Sequence, residues 1–139
     1  MIVVDTSGLL SIIDERQRHH AACAAVLTRA SPPLLLSPFV LAELDYLLAT
    51  RVGGEAQMAL LDEVARGAYR LEPFSNADVT TARDVMARYP DLRLGLADAS
   101  IVVLAARHGT RDVLTLDERH FRAVQTLDRE RFRLLPADV

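Results

Sequence analysis

The chain contains no lysine, so all 16 of its basic residues are arginine. The 19 acidic residues outnumber them and give a formal net charge of −3. This balance argues against a protein that holds nucleic acid by bulk positive charge. Arginine suits two-pronged contacts with phosphate groups. The alternative explanation for the missing lysine is the codon usage of a GC-rich genome.

Cysteine is nearly absent as well, because Cys23 is the only one. A single cysteine forms no internal disulfide, and this suits a reducing cytosol. Cys23 lies between two pairs of alanines, so we interpret it as a residue that packs a helix rather than as a catalytic thiol.

Long apolar runs are also missing, since no stretch is both long enough and uncharged enough to span a membrane. The first residues form a strand-like run, without the basic region and small-residue cleavage site of an export signal. We therefore expect a cytoplasmic protein that has no membrane partner.

The chain is nevertheless rich in apolar residues, which make up half of its 139 positions. A chain of this length and composition can bury one hydrophobic core. We expect a single domain over residues 1–139, without linkers or repeats.

Short apolar runs alternate with helical patterns along the chain. Strands are predicted at 2–5, 34–36, 69–71, 112–115 and 132–135, and helices at 8–14, 19–29, 38–50, 55–66, 77–88 and 97–108. Apolar strands separated by helices are typical of an α/β protein. We expect a mainly parallel five-stranded sheet, with right-handed crossovers that place helices on both of its faces.

Four acidic residues occur where apolar residues would be expected. Asp5 ends the first strand, Glu43 interrupts the apolar stripe of the third helix, Asp98 opens the most apolar helix, and Asp117 follows the fourth strand. A buried carboxylate is unfavourable unless something pairs with it. Because ligand sites in parallel sheets lie beyond the carboxyl ends of the strands, we expect Asp5 and Asp117 in one crevice.

Helical spacing places Glu43 on the same stripe as Val40 and Leu44 and therefore predicts that it points inward. The alternative is a structural role in a buried ion pair with Arg51 or Arg93.

Asp98 shares a predicted helix face with Ile101 and Val102. It also lies in the first helical turn, where the helix dipole favours negative charge. That dipole is the alternative, purely structural explanation for Asp98.

Repulsion favours a common purpose for these carboxylates. Two carboxylates about 5 Å apart repel by roughly 3 kcal/mol at an effective dielectric constant near 20. Four of them together must protonate, disperse or bind cations. Oxygen ligands suit Mg²⁺ or Mn²⁺, and Ca²⁺ less specifically. The adjacent His19 and His20 lack the spacing of a zinc site.

The four acids lie in four segments that span nearly the whole chain: Asp5-Thr6-Ser7-Gly8-Leu9-Leu10, Ser37-Pro38-Phe39-Val40-Leu41-Ala42-Glu43-Leu44, Leu94-Gly95-Leu96-Ala97-Asp98-Ala99 and Thr115-Leu116-Asp117-Glu118-Arg119-His120-Phe121. In this order they resemble the acidic motifs of the PIN domain, and in particular those of the VapC toxins of bacterial toxin–antitoxin pairs.

The resemblance implies a PIN-like three-layer sandwich and a Mg²⁺- or Mn²⁺-dependent endoribonuclease that leaves a 5′-phosphate and a 3′-hydroxyl. By this resemblance Asp5, Glu43, Asp98 and Asp117 are the catalytic residues and hold the metal, directly or through water. Glu118 competes with Asp117 for the fourth position, and the family pattern favours Asp117.

Three hydroxyl residues lie beside these acids in the sequence. Ser7 is a candidate for orienting water in the site, and Thr115 for a similar role near Asp117. Thr6 is a candidate for the same surroundings, although we expect it mainly to cap the first helix.

The resemblance also implies partners. We expect an RNA substrate, either transfer or ribosomal RNA, a VapB-like antitoxin and a homodimer. Arg93, Arg119 and His120 flank the third and fourth acidic segments and are candidates for RNA contact; an ordinary solvated face is the alternative. The helices on either side of Gly53-Gly54 are expected to form the antitoxin groove.

Two other functional classes compete with the nuclease. The first is a catalytically silent PIN-fold module that binds RNA or protein. The second is a phosphatase or phosphoacceptor domain, which also carries an aspartate at a strand end. A phosphatase motif requires a second aspartate two residues later, where Ser7 stands, and a receiver domain requires a lysine.

Overall fold

A computed structural model describes residues 1–139 of the protein. Its centre is one five-stranded sheet in the order β3-β2-β1-β4-β5. The strands are β1 (Ile2–Val4), β2 (Leu34–Leu36), β3 (Arg70–Leu71), β4 (Asp112–Leu114) and β5 (Arg133–Leu135). All neighbouring pairs are parallel, so the predicted mainly parallel sheet is wholly parallel.

Seven α-helices flank the sheet. They are α1 (Thr6–Ile13), α2 (His20–Arg29), α3 (Pro38–Leu47), α4 (Gly54–Ala65), α5 (Asn76–Arg88), α6 (Leu96–His108) and α7 (Glu118–Ala123). Six of them match predicted helices. The sequence did not predict α7, because six residues hold too little apolar periodicity to be distinguished from a loop. None of the helices is both long and apolar enough to cross a membrane.

The third helix is shorter than predicted. Instead of continuing to Thr50, α3 ends at Leu47 and the chain makes a π-helical turn over Leu48–Val52. Gly53, whose φ is 145°, then redirects the chain into α4. The predicted start of α3 is confirmed, since Ser37 accepts a hydrogen bond from the Phe39 amide and proline follows it.

The core is apolar on both sides of the central strand. Val3 and Val4 of β1 are fully buried, as are Val113 and Leu114 of β4. Val3 pairs with Val113 and Val4 with Leu114, so the two strands end level with each other. The residues that follow them, Asp5 and Thr115, are therefore brought to the same edge of the sheet.

A glycine allows α1 to begin directly against that edge. A Cβ atom on Gly8 would lie 2.6 Å from the Leu114 carbonyl oxygen, which is closer than real side chains approach. The absence of a side chain at Gly8 therefore lets the first turn of α1 rest on the end of β4. This packing places Ser7 next to Thr115.

Candidate metal centre

Asp5 lies at the bottom of the site. It follows β1, occupies the N-cap position of α1 and is only 5% exposed. Thr115 donates a hydrogen bond of 2.7 Å to Asp5 Oδ2, and Ser7 donates one of 3.1 Å to the same oxygen. Two hydroxyl groups from different elements thus orient one buried carboxylate.

Ser7 and Thr115 also tie the neighbouring backbone to this carboxylate. The Leu116 amide donates to Ser7 Oγ at 2.9 Å, and the Asp117 amide donates to Thr115 Oγ1 at 2.9 Å. The two hydroxyl oxygens are 3.2 Å apart. The start of α1 and the segment after β4 are therefore joined through Asp5. These bonds fix the position of the Asp117 backbone.

The environment of Asp5 opposes its ionisation. Burial, reinforced by the negative charge of Asp98, raises the pKa of Asp5 from 3.8 to about 6, although the bonds from Thr115 and Ser7 lower it. No arginine contacts Asp5. Its charge is therefore left without a cationic partner from the protein.

Asp98 lies in the first turn of α6, where Asp98 Oδ2 accepts a 3.3 Å hydrogen bond from the Gly95 amide. Burial raises the pKa of Asp98, and the charges of Asp117 and Glu43 raise it further, while the Gly95 amide and His120 act in the opposite direction. The dipole of α6 thus does not fully account for Asp98, since its pKa is raised rather than lowered. Its carboxylate lies within the electrostatic reach of three other acids.

Asp117 occupies the N-cap position of α7 and accepts a 3.1 Å hydrogen bond from the His120 amide at Oδ1. Its other oxygen, Oδ2, lies 2.7 Å from His120 Nδ1. Ligand atoms of Asp98, Asp117 and His120 all lie within 4.8 Å of one another. The structure therefore brings the third and fourth acidic segments together. Glu118, the competing residue, is exposed and pairs with Arg122.

His120, which was predicted to contact RNA, lies among these carboxylates rather than on an open surface. Its side chain is 22% exposed, and its Nε2 lies 2.9 Å from the Leu92 carbonyl oxygen. Burial alone would lower the pKa of His120, but the hydrogen bond to Asp117 and the charges of Asp117 and Asp98 raise it overall. Both ring nitrogens face atoms of the protein, which leaves only the ring face and edge for any RNA contact.

Sequence patterns gave His120 no role in the acidic site. The available signal was its position three residues after Asp117, because residues i and i+3 of a helix start meet on one face. That signal is weak without knowledge that a helix begins at Glu118.

Glu43 differs from its prediction. The expectation that it points inward with Val40 and Leu44 is wrong, since those two residues are fully buried whereas Glu43 is exposed. The apolar stripe of α3 is narrow, and position i+3 lies at its margin. The alternative, an ion pair of Glu43 with Arg51 or Arg93, does not form either. Glu43 still lies near enough to Asp98 for its charge to raise the pKa of Asp98.

Thr6 also differs from its prediction, because it does not cap α1. Asp5 holds the N-cap position, with no side-chain capping bond, and Thr6 is the first helical residue. Thr6 is buried, and its Oγ1 has no hydrogen-bond partner. The residue that follows Asp5 in the sequence thus carries a buried hydroxyl without a hydrogen-bond partner.

The two arginines predicted to contact RNA lie on the surface near the acidic residues. Arg93 precedes α6 with φ of 51°, in the left-handed region, and Arg119 is in the first turn of α7. Both side chains are exposed and neither forms an ion pair. They are available to a ligand, and their RNA contact stays a prediction.

The residues present fit a divalent cation. The donors are carboxylate oxygens, which suit Mg²⁺ and Mn²⁺. Burial and other acids raise the pKa of Asp5 and of Asp98, and no arginine pairs with either carboxylate, so a bound cation would offset the cost of ionising them.

Comparisons with known proteins agree with this geometry. The family model described as PIN domain matches residues 2–127. Ribonuclease VapC26 of Mycobacterium tuberculosis is 44% identical over 135 residues, which cover 97% of this chain and all of that protein.

Two solved structures share the fold. Mycobacterium tuberculosis VapC20, described as a Sarcin-Ricin loop cleaving toxin, has a TM-score of 0.79 at 21% identity and covers 84% of this chain and 90% of its own. VapBC2 from Rickettsia felis, described as bound to a DNA fragment from their promoter, has a TM-score of 0.69 at 17% identity and covers 96% and 98%. The parallel sheet, the acidic residues at its edge and the family match together show that this chain belongs to the PIN-domain family and, within it, to the VapC group.

Proposed function

We propose that the protein is a metal-dependent endoribonuclease and the toxin of a toxin–antitoxin pair. The observation that supports this most strongly is the convergence of Asp5, Asp98 and Asp117, from three separate segments, on one edge of the sheet without balancing arginines. VapC26, a relative of this chain, is named a ribonuclease. We further propose that residues 1–139 act as one domain, in keeping with the single apolar core.

Asp5, Asp98 and Asp117 would hold Mg²⁺ or Mn²⁺, with Glu43 joining directly or through water. A bound divalent cation polarises a phosphodiester and makes a nearby water more acidic. Burial keeps most water away from Asp5. Ser7 and Thr115 both donate hydrogen bonds to its Oδ2 and so hold the carboxylate in one orientation. We propose that these two hydroxyls position the carboxylate; the water-orienting role predicted for Ser7 and Thr115 stays a prediction.

The exposed Arg93 and Arg119 supply positive charge where the acids alone would repel RNA. Each is free of ion pairs, so neither must be released before it meets a phosphate. We propose that these two residues contact the RNA backbone on either side of the carboxylates. Such contacts position an RNA and carry little sequence information.

A cleavage assay tests this proposal. A sarcin–ricin loop oligonucleotide is a suitable first substrate, because VapC20 is described as cleaving that loop; a tRNA serves as the second. We expect cleavage with Mg²⁺ or Mn²⁺, none with EDTA, and none for Asp98→Asn. Asp62→Asn, which changes an exposed acid of α4, should cleave normally. Binding of RNA without cleavage in either metal would favour the silent binding module instead.

An antitoxin partner is proposed from the family and from exposed apolar side chains. Tyr46 of α3 is 67% exposed and Met58 of α4 is 58% exposed. These helices flank Gly53-Gly54, where the antitoxin groove is predicted. Co-purification with a co-expressed VapB-like antitoxin should be lost in a Tyr46→Ala, Met58→Ala double variant and kept in Val79→Ala, an exposed apolar residue of α5. A homodimer and a cytoplasmic location stay predictions.

A further inference from the structure

His120 connects two elements that carry different carboxylates. Its ring lies between Asp117, at the start of α7, and the turn over Pro90–Leu92 that leads into α6. Asp98 belongs to α6. The imidazole thus joins the segment that carries Asp117 to the turn that precedes Asp98 and its helix.

Both ring nitrogens are engaged. Nδ1 lies 2.7 Å from Asp117 Oδ2 and 3.9 Å from Asp98 Oδ2, while Nε2 lies 2.9 Å from the Leu92 carbonyl oxygen. A carbonyl oxygen only accepts hydrogen bonds, so Nε2 must donate to it. A ring bound at both ends does not offer a free nitrogen to a metal ion.

The backbone before α6 is shaped to receive this bond. Arg93, directly after the turn, has φ of 51°, a left-handed conformation that non-glycine residues adopt uncommonly. This residue reverses the chain between the Leu92 carbonyl and the buried Leu94. The Leu92 carbonyl directly precedes this bend and accepts the bond from His120 Nε2.

Helix α7 is anchored without His120. Phe121 is almost fully buried and packs edge-to-face on Phe132, with ring centroids 6.0 Å apart. Arg122 binds Asp138 through two bonds of 2.6 and 2.7 Å. Loss of the imidazole should therefore leave α7 in place, with the His120 amide still bonded to Asp117 Oδ1, and release only Asp117 Oδ2.

From this geometry we infer that His120 is a positioning residue, which holds the Asp117 carboxylate towards Asp98 and so sets the affinity of the site for a divalent cation. The inference rests on the proposed metal-dependent function. Groups that orient metal-binding side chains typically change metal affinity by about 10- to 100-fold when they are removed.

Two conservative variants separate the two bonds. An asparagine amide reaches about as far as Nδ1, and a glutamine amide about as far as Nε2. His120→Asn should keep the contact with Asp117 and lose the one with Leu92, whereas His120→Gln should do the reverse. His120→Ala loses both. His19→Ala removes an exposed histidine that makes no side-chain bond and is the matched control.

The main readout is Mn²⁺ affinity by calorimetry, alongside cleavage at increasing Mn²⁺. We expect His120→Ala to weaken Mn²⁺ binding by about 10- to 100-fold, with intermediate losses for the asparagine and glutamine variants and none for His19→Ala. Cleavage by His120→Ala should recover most of its rate at saturating Mn²⁺. Unchanged affinity, or a rate loss that saturating Mn²⁺ does not restore, overturns the positioning role.

A second readout uses the protein without metal. In NMR spectra the His120 Nε2 proton should exchange slowly with water, while the nitrogen-bound ring protons of the exposed His19 should exchange fast. Fast exchange of the His120 Nε2 proton would refute its hydrogen bond to the Leu92 carbonyl, and this result does not depend on any nuclease activity. Failure of the wild-type protein to bind Mn²⁺ would instead overturn the proposed function, together with the role that depends on it.

Discussion

Replacing Asp5 by asparagine should stabilise the protein in the absence of metal and abolish its metal response. Asp5 is buried, and its ionised form is opposed by burial and by the charge of Asp98. Asparagine is nearly the same size, and its carbonyl oxygen can accept the hydrogen bonds that Thr115 and Ser7 now donate to Oδ2. The substitution therefore removes the charge while it keeps the contacts.

The size of the effect follows from the pKa of Asp5, which is raised from 3.8 to about 6. At about 1.4 kcal/mol per pKa unit, ionised Asp5 destabilises the folded protein by about 3 kcal/mol. The folded protein binds this proton more tightly than the unfolded chain does. Stability should consequently fall as the pH rises from about 4 to about 6, and stay lower above that range.

Thermal unfolding in EDTA at pH 3.5 and at pH 8 measures this difference. The two proteins should be similar at pH 3.5, and Asp5→Asn should be more stable by up to about 3 kcal/mol at pH 8, or on the order of 10 °C. Mn²⁺ at about 100 times its dissociation constant should stabilise the wild type by about 2.7 kcal/mol and leave the variant unchanged. Asp62→Asn is the control. A variant less stable at pH 8, or one that Mn²⁺ stabilises like the wild type, would refute the reasoning.

Three further substitutions test other parts of the structure. Gly8→Ala should destabilise the folded protein by about 1 to 3 kcal/mol in urea unfolding, because the new Cβ would meet the Leu114 carbonyl. Gly54→Ala should cause no such loss, because open space surrounds that position, and equal effects of the two variants would contradict the close packing at Gly8. Glu72→Gln should destabilise by about 1 to 3 kcal/mol, since it weakens the bonds of a buried carboxylate to Arg70, Arg107 and His108. Glu63→Gln, in an exposed pair, should lose under about 1 kcal/mol. Asp117→Asn should weaken Mn²⁺ binding about tenfold or more, whereas Glu118→Gln should bind normally; the reverse result would reassign the fourth position.

The architecture could be predicted because short apolar runs alternate with capped helical patterns. Ile2 to Val4 and Val113 to Leu114 lack polar alternation and are short, which favours strands buried on both faces. Capping residues such as Ser37 and Ser75 located helix starts within a residue. Helix α7 escaped prediction because tertiary contacts of Phe121 and the Asp117 cap, rather than periodicity, hold it.

Positions at strand ends were predicted better than side-chain directions. Asp5 and Asp117 could be placed in one crevice because parallel strands bring their carboxyl ends together. The direction of Glu43 could not, because a helical stripe defines its centre but not the exposed fraction at its margin. His120 could not be assigned to the acids either, since its partner Leu92 is 28 residues away and only the folded loop brings them together.

The most direct test of cation binding by the converging carboxylates is a crystal structure grown with Mn²⁺ and measured for its anomalous scattering. We predict a peak coordinated by carboxylate oxygens of Asp5 and Asp98, with Asp117 at direct or water-bridged distance. A map without a peak there, at Mn²⁺ concentrations that support RNA cleavage, would contradict a shared metal site.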